Sequence, residues 1–389
     1  MRTKEIQAAL REEGLDGWLF FDHHQRDPLA YRVLQFTPGS MVTRRWYYFV
    51  PASGEPRGLA HKIEAQTLKD LPGEIKLYAS WQELIEGVRA ILGNVSRVAM
   101  QYSSDCAVPY VAMVDAGTVE LVRGMGIEVV TSANLIQFFE SRWNQRQLEN
   151  HLEAGRRIDK IRGAAFARIS SKVRGGDRIT EWEMQQFILD QFRLGGLITD
   201  HGPDVAVNAN ASNPHYNPTE ERCAEIRRGD LVLLDMWAKL DVPDGVYYDI
   251  TWVGYCGEQP PAEMEKVFGI VRDARDKAIA RVKAAVAAEE SLCGYQVDDA
   301  ARAHIRDAGY AEYFFHRTGH SIGAEVHGAG ANMDNLETHD ERRVIPWTCF
   351  SIEPGIYLPE FGIRSEVDVF VDETRARVTG EMQEKLVLV

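Results

Sequence analysis

Several features that would place the chain quickly are scarce. Its 389 residues hold five cysteines, and Cys106, Cys223, Cys256, Cys293 and Cys349 form no C-x-x-C pair. An odd, scattered set reads as free or buried thiols in a reducing cytoplasm, which disfavours a disulfide scaffold and a thiolate zinc site. No run approaches the ~18 uninterrupted apolar residues of a membrane-spanning helix. The opening MRTKEIQAALREEG has no apolar h-region and is not expected to be a signal peptide. Positive charge is short: 44 Lys and Arg stand against 58 Asp and Glu, a net −14. Such a chain repels phosphate backbones and anionic lipid, so nucleic acid and membrane are not expected as partners. Short-period repeats and low-complexity segments are missing as well. What is present is an ordinary globular balance, 45% apolar and 26% charged, long enough for two or three domains at roughly 150 residues each.

The first ~140 residues alternate strand-like and helical runs. Ile6, Leu10 and Leu15 give a helical period. GWLFF (17–21), RWYYFVP (45–51) and VAMQY (98–102) read as strands, and SWQELIEGVRAIL (80–92) as a helix. That alternation predicts an α/β layer domain. After a polar stretch near 141, Leu148, Leu152, Gly155, Ile158, Ile161, Ala165 and Ile169 recur every three or four residues, as one buried helical face demands. Thr180 and Glu183 form a capping box for the next helix. Two strand candidates follow, 230–238 and 246–254, joined by the turn-like DVPDG. Met264 to Val282 and 296–310 read as another helix pair, and 349–358 and 362–371 as another strand pair. Helix pair, strand pair, helix pair, strand pair suggests an internal duplication. The expected organisation is an α/β N-terminal domain, residues 1–141, and an α+β domain with antiparallel sheet, residues 142–389.

Chemistry concentrates on four acids. Asp235 in LVLLDMW, Asp249 in VYYDITW, Glu353 in CFSIEPGIYL and Glu366 in IRSEVDVFV each interrupt an apolar run. A buried unpaired carboxylate costs several kcal/mol, so each needs a cation, a hydrogen-bond set or a shifted pKa. Two acids on paired strands repel each other, and a metal ion converts that repulsion into ligation. His316, His320 and His327 lie close by in FFHRTGHSIGAEVHG. His316 and His320 have i, i+4 spacing, but Arg317, Gly319 and Gly323 speak against a helical H-E-x-x-H site and for a loop or strand edge. Acids plus one imidazole suit two hard or borderline divalent ions such as manganese, cobalt or zinc. Ions ~3.5 Å apart can hold a hydroxide at neutral pH.

The order DLVLLD, YYDITW, HRTGHSIG, SIEPGIY and IRSE resembles the pita-bread metallopeptidases, which include aminopeptidase P, prolidase, methionine aminopeptidase and the metal-free creatinase. The likeness covers ~141–389, and the N-terminal part looks like the creatinase-type domain of prolidase and aminopeptidase P. The resemblance implies two divalent ions, manganese first, held by Asp235, Asp249, His320, Glu353 and Glu366. Asp249 would chelate one, Asp235 and Glu366 would bridge both, and His320 with Glu353 would complete the second. It implies that a metal-bridging hydroxide attacks and that Glu353 moves its proton. His215, in NPHYNP, would steady the carbonyl oxygen, and His327 would meet the leaving nitrogen. His316 would line the pocket and Arg364 would orient a ligand carboxylate. The implied activity is hydrolysis of the Xaa-Pro bond of dipeptides by a cytoplasmic homodimer. The loop FDHHQRDPLAY (21–31) could reach the partner's pocket, and Arg342 or Arg343 could receive the substrate carboxylate. The alternatives are an Xaa-Pro aminopeptidase on longer peptides, a creatinase-like amidinohydrolase and a non-catalytic binding module. Trp252, Arg317 and Gly328 depart from the family's usual residues, and the spacing from Asp235 to Asp249 is about three longer than usual.

Overall fold

A computed structural model describes residues 2–37 and 41–389. The chain divides into two compact units, Met1–Glu140 and Ser141–Val389. No helix among the described residues is long and apolar enough to cross a membrane.

The first unit is built on six strands: β1 (Gly17–Asp22), β2 (Trp46–Pro51), β3 (Arg57–His61), β4 (Glu74–Tyr78), β5 (Arg97–Met100) and β6 (Glu128–Thr131). Their order is β4-β3-β2-β1-β5-β6. β1 runs antiparallel to β2 and parallel to β5, so the sheet is mixed. Every residue of β1 and β2 is buried, which explains why both read as unbroken apolar runs rather than alternating ones. Helix Trp81–Leu92 starts on a capping box of Ser80 and Glu83. β3, β4 and β6 are short and carry polar residues, so they gave no strand signal of their own.

The second unit shows a helix-pair and sheet pattern twice. Helices Gln145–Gly175 and Glu181–Leu194 precede β7 (Leu197–Ile198), β8 (Asp204–Val207), β9 (Leu231–Leu240) and β10 (Tyr248–Tyr255). Helices Ala262–Ala287 and Gly294–Asp307 precede β11 (Ser321–Ile322), β12 (Thr348–Ile352), β13 (Gly355–Tyr357), β14 (Gly362–Arg364), β15 (Val367–Val371) and β16 (Ala376–Val378). The final β17 (Val387–Leu388) pairs with β10. β9 and β10 form the expected antiparallel hairpin, with β7 and β8 also on β9. The order β11-β12-β15-β16 makes a second sheet.

Period-two alternation assigns the two faces of the first sheet. Val232, Leu234, Met236 and Ala238 of β9, with Tyr248 and Ile250 of β10, pack on the first helix pair. Leu231, Leu233 and Val253 face the core built by the second helix pair. Asp235, Asp249 and Thr251 belong to this second face. Two expectations need correction. Leu152, placed on the buried face of the long helix, is 38% exposed; the residues that bury around it are His151, Ala154 and Gly155. Glu353 and Glu366 do not lie inside strands: Glu353 and Pro354 separate β12 from β13, and Ser365 and Glu366 separate β14 from β15. Pro354 has no N–H to continue a ladder, and the Glu366 amide instead donates to the Thr251 carbonyl at 3.2 Å.

Candidate metal centre

The ladder sets the geometry. Thr251 stands opposite Asp235 and Trp237 opposite Asp249, so the two aspartates are diagonal neighbours on one face. Asp249, His320 and Glu366 offer ligand atoms within 4.8 Å of one another, all from buried residues. His320 Nε2 lies 3.6 Å from Asp249 Oδ2 and 3.4 Å from Glu353 Oε1. Arg364 binds Asp235 Oδ2 through Nη2 and stands 3.9 Å from Glu353 Oε2. Asp235 from the middle of β9, Asp249 near the start of β10, Arg364 at the end of β14, and His320, Glu353 and Glu366 just before β11, after β12 and before β15, thus come together.

Second interactions fix these groups. Gly319 leads into His320, and a Cβ there would sit 1.9 Å from the Ser351 carbonyl oxygen. Only glycine lets the two chains approach so closely. The Ser351 hydroxyl accepts from the His320 amide at 3.0 Å and donates to Glu353 Oε1 at 3.1 Å. His320 Nδ1 faces the Ser321 carbonyl at 3.3 Å. A carbonyl only accepts, so Nδ1 carries the proton and Nε2 turns a lone pair on the acids. Burial, with His327 adding to it, holds His320 well below the usual imidazole range and therefore neutral. Asp368 accepts the Asp249 amide at 2.8 Å.

The acids themselves are electrostatically unsatisfied. Burial pushes Glu353 up to about 7, with Arg364 opposing and Asp235 reinforcing. Burial, then Glu366 and Asp235, raises Asp249 well above the carboxylate range. Burial, then Glu353 and Asp235, does the same to Glu366. Asp235 Oδ1 and Asp249 Oδ1 are buried without a hydrogen-bond partner among the described residues. Orphaned carboxylate oxygens beside a neutral imidazole lone pair are a donor set for hard or borderline divalent cations.

The other expected residues border this cluster or lie beyond it. His327 is exposed, and its ring meets that of His320 edge-on at 4.4 Å. His215 is exposed in the loop after the Asn208–Ser212 turn. His316 binds Tyr357 Oη through Nε2 and the Arg317 carbonyl through Nδ1, both at 2.7 Å. Tyr357 Oη also accepts from Arg364 Nη1 at 3.1 Å, so His316 supports the arginine from behind. Arg342 is buried, with Nε and Nη2 on Asp340 and Nη1 on the Ala329 carbonyl. Its guanidinium is therefore committed and does not serve a substrate carboxylate. Trp252 faces away from Asp249, under the Arg162 guanidinium at 3.6 Å.

Four contributors gave no clear sequence signal. Thr251 donates to Glu366 Oε2 at 2.8 Å and accepts from Arg364 Nε at 3.0 Å. Tyr357 links Arg364 to His316. Glu181, fully buried, accepts from the Val207 and Ala224 amides and the Tyr216 hydroxyl, which anchors the loop bearing His215. Asp204 lies directly opposite Asp235 across β8 and β9. Burial, then the charge of Asp235, pushes Asp204 up to about 8. Tyr216 beside His215 was the one visible hint of the Glu181 anchor.

A buried acid box with one bare imidazole nitrogen, set between two similar sheet halves, defines a metallopeptidase of the pita-bread fold. Residues 149–373 match the model of metallopeptidase family M24, and the chain belongs to that family. The chain is 34% identical over 191 residues to an Xaa-Pro dipeptidase of Lactobacillus delbrueckii subsp. lactis, covering 48% of this chain and 47% of that one. A dipeptidase structure from Pyrococcus horikoshii OT3 is similar over the full length of both chains, at 26% identity and a TM-score of 0.65. An X-prolyl aminopeptidase of Caenorhabditis elegans, a cytosolic enzyme with a di-nuclear active site, matches at a TM-score of 0.66 and 16% identity, over 97% of this chain and 61% of that one.

Proposed function

We propose that the chain is an Xaa-Pro dipeptidase with a dinuclear centre in residues 142–389, held by Asp235, Asp249, His320, Glu353 and Glu366. The observation that carries this reading is the pair of orphaned, buried oxygens, Asp235 Oδ1 and Asp249 Oδ1, in a cluster where the bare His320 Nε2 lies 3.6 Å from Asp249 Oδ2. Bound divalent ions, manganese before cobalt or zinc, would supply Lewis acidity and a water acidic enough to attack a carbonyl at neutral pH. The Xaa-Pro amide is tertiary and offers no N–H, so a site that addresses the carbonyl oxygen suits it.

The protein's own groups then divide the work. Glu353, held by Ser351, takes the proton of the attacking water and returns it to the proline nitrogen as the C–N bond breaks. His215 steadies the developing oxyanion, and His327 sits where the leaving nitrogen departs. Arg364, fixed by Thr251 and Tyr357, keeps Asp235 in place. The likeness to a dipeptidase over the full chain favours dipeptides. The family resemblance alone implies a homodimer, which sedimentation would test. The function is tested by proline release after loading with manganese, cobalt or zinc. An Xaa-Pro dipeptide cleaved faster than the matching Xaa-Pro-Yaa tripeptide is the expected result. The reverse order makes the chain an aminopeptidase, and no release from either overturns the reading.

A further inference from the structure

Asp204 is an acid of the site's face for which neither the ligand set nor proton transfer has a use. It stands directly across from Asp235 on β8, where opposed Cβ atoms lie about 5 Å apart. Alternation places Val205 and Val207 in the core under the first helix pair, so Asp204 shares the opposite face with Asp235 and Ala206. It is half-buried rather than sealed, unlike Asp249 and Glu366, and so keeps access to solvent. No hydrogen bond or ion pair among the described residues satisfies its carboxylate. Arg364 is the cation that acts on it, but that guanidinium already binds Asp235, Thr251 and Tyr357.

The charge balance shows what is missing. Four ligand carboxylates and a hydroxide would carry −5 against +4 on two dications, and the Arg364 guanidinium that binds Asp235 brings that sum to zero. Asp204 is a fifth carboxyl beside Asp235, and an incoming ammonium would balance its ionised form. A half-buried carboxylate with no cation of its own gains more from a matching ammonium than it would in water. Asp200, the other acid nearby, is engaged by the Trp237 indole N–H at 2.9 Å.

We propose that Asp204 receives a protonated amine on the substrate residue that precedes the scissile bond, and so selects cationic substrates. This rests on the Xaa-Pro reading above. The amine is either the substrate's own α-ammonium or a lysine-type side chain, and three substrates separate these: Leu-Pro, Lys-Pro and the des-amino analogue of Leu-Pro.

The experiment compares wild type, Asp204→Asn and Asp204→Glu, each loaded with manganese and checked for metal content. If the α-ammonium is the ligand, Asp204→Asn raises KM for Leu-Pro and Lys-Pro about tenfold, with a far smaller change for the des-amino analogue. If the side chain is the ligand, the rise of about tenfold is confined to Lys-Pro. Either pattern, with partial recovery in Asp204→Glu, supports the proposal. An equal change on all three substrates, no change on any, or loss of bound manganese overturns it while leaving the peptidase reading intact. Wild type that releases proline from none of them overturns both.

Discussion

The hydroxyl of Thr251 donates to Glu366 Oε2 at 2.8 Å, while its oxygen accepts from Arg364 Nε at 3.0 Å. One buried hydroxyl therefore couples an acid of the cluster to the cation that steadies another. Thr251→Val keeps the shape and removes both bonds. The expected result is a 10–100-fold loss of manganese affinity, the range seen when supporting hydrogen bonds around ligands are removed. Calorimetric titration with manganese checks it, and unchanged affinity would show that Thr251 only fills space.

Glu353→Gln keeps the bond acceptor for Ser351 but removes the proton carrier. Turnover of an Xaa-Pro dipeptide should fall by about 10²–10⁴. The assay is run at saturating manganese with metal content measured in parallel, because Glu353 is also a proposed ligand. Near-wild-type turnover at full occupancy would remove Glu353 from proton transfer.

Metal removal should make stability depend on pH in a defined direction. Asp249, Glu353 and Glu366 all have folded pKa values raised above their ordinary ones, Glu353 to about 7. The folded, metal-free state thus binds more protons than the unfolded chain, and stability falls as pH rises through those values. His151 and His316 are lowered by burial to about 4 and about 3, so they act in the opposite sense, but only below their ordinary value of 6.5. Above it the acids act alone. Chelator-treated protein should lose about 3 °C or more of Tm between about pH 6.5 and about pH 8.5. Reloading with manganese should flatten that slope, and scanning calorimetry reads both.

Gly319→Ala should destabilise the fold by about 2–4 kcal/mol, since the new methyl meets the Ser351 carbonyl oxygen and one of the two chains must move. His320 moves with it, so manganese affinity should fall too. Gly163 is the internal control: it lies in the long helix with nothing within 4 Å of its would-be Cβ. Gly163→Ala should stabilise by up to about 1 kcal/mol. Urea titration separates the two signs, and a neutral Gly319→Ala would contradict the close approach.

How far the chain could be read in advance follows from where its signals are local. Asp235 and Asp249 stood out because each breaks a long apolar run, and β9 and β10 are long enough for that run to be unmistakable. The helix start at Thr180 was legible because a capping box spans only four residues. Asp204 was not, because β8 has four residues and follows Gly202 and Pro203, a context that reads as a turn. Its importance comes from pairing with a strand that begins 24 residues beyond β8, which no local pattern records. Thr251 and Tyr357 look like ordinary strand residues until Arg364 is placed between them. Arg342 shows the opposite failure: it is near Glu353 in sequence, yet Asp340 claims it two residues away.

The box of acids that repel one another has a consequence for the protein's life in the cell. Chains made when divalent salts are scarce would finish folding with this region loosened and exposed to proteolysis, whereas chains made in plenty would close around their ions. The amount of enzyme that survives would then follow the supply of its own cofactor, with no separate sensor needed.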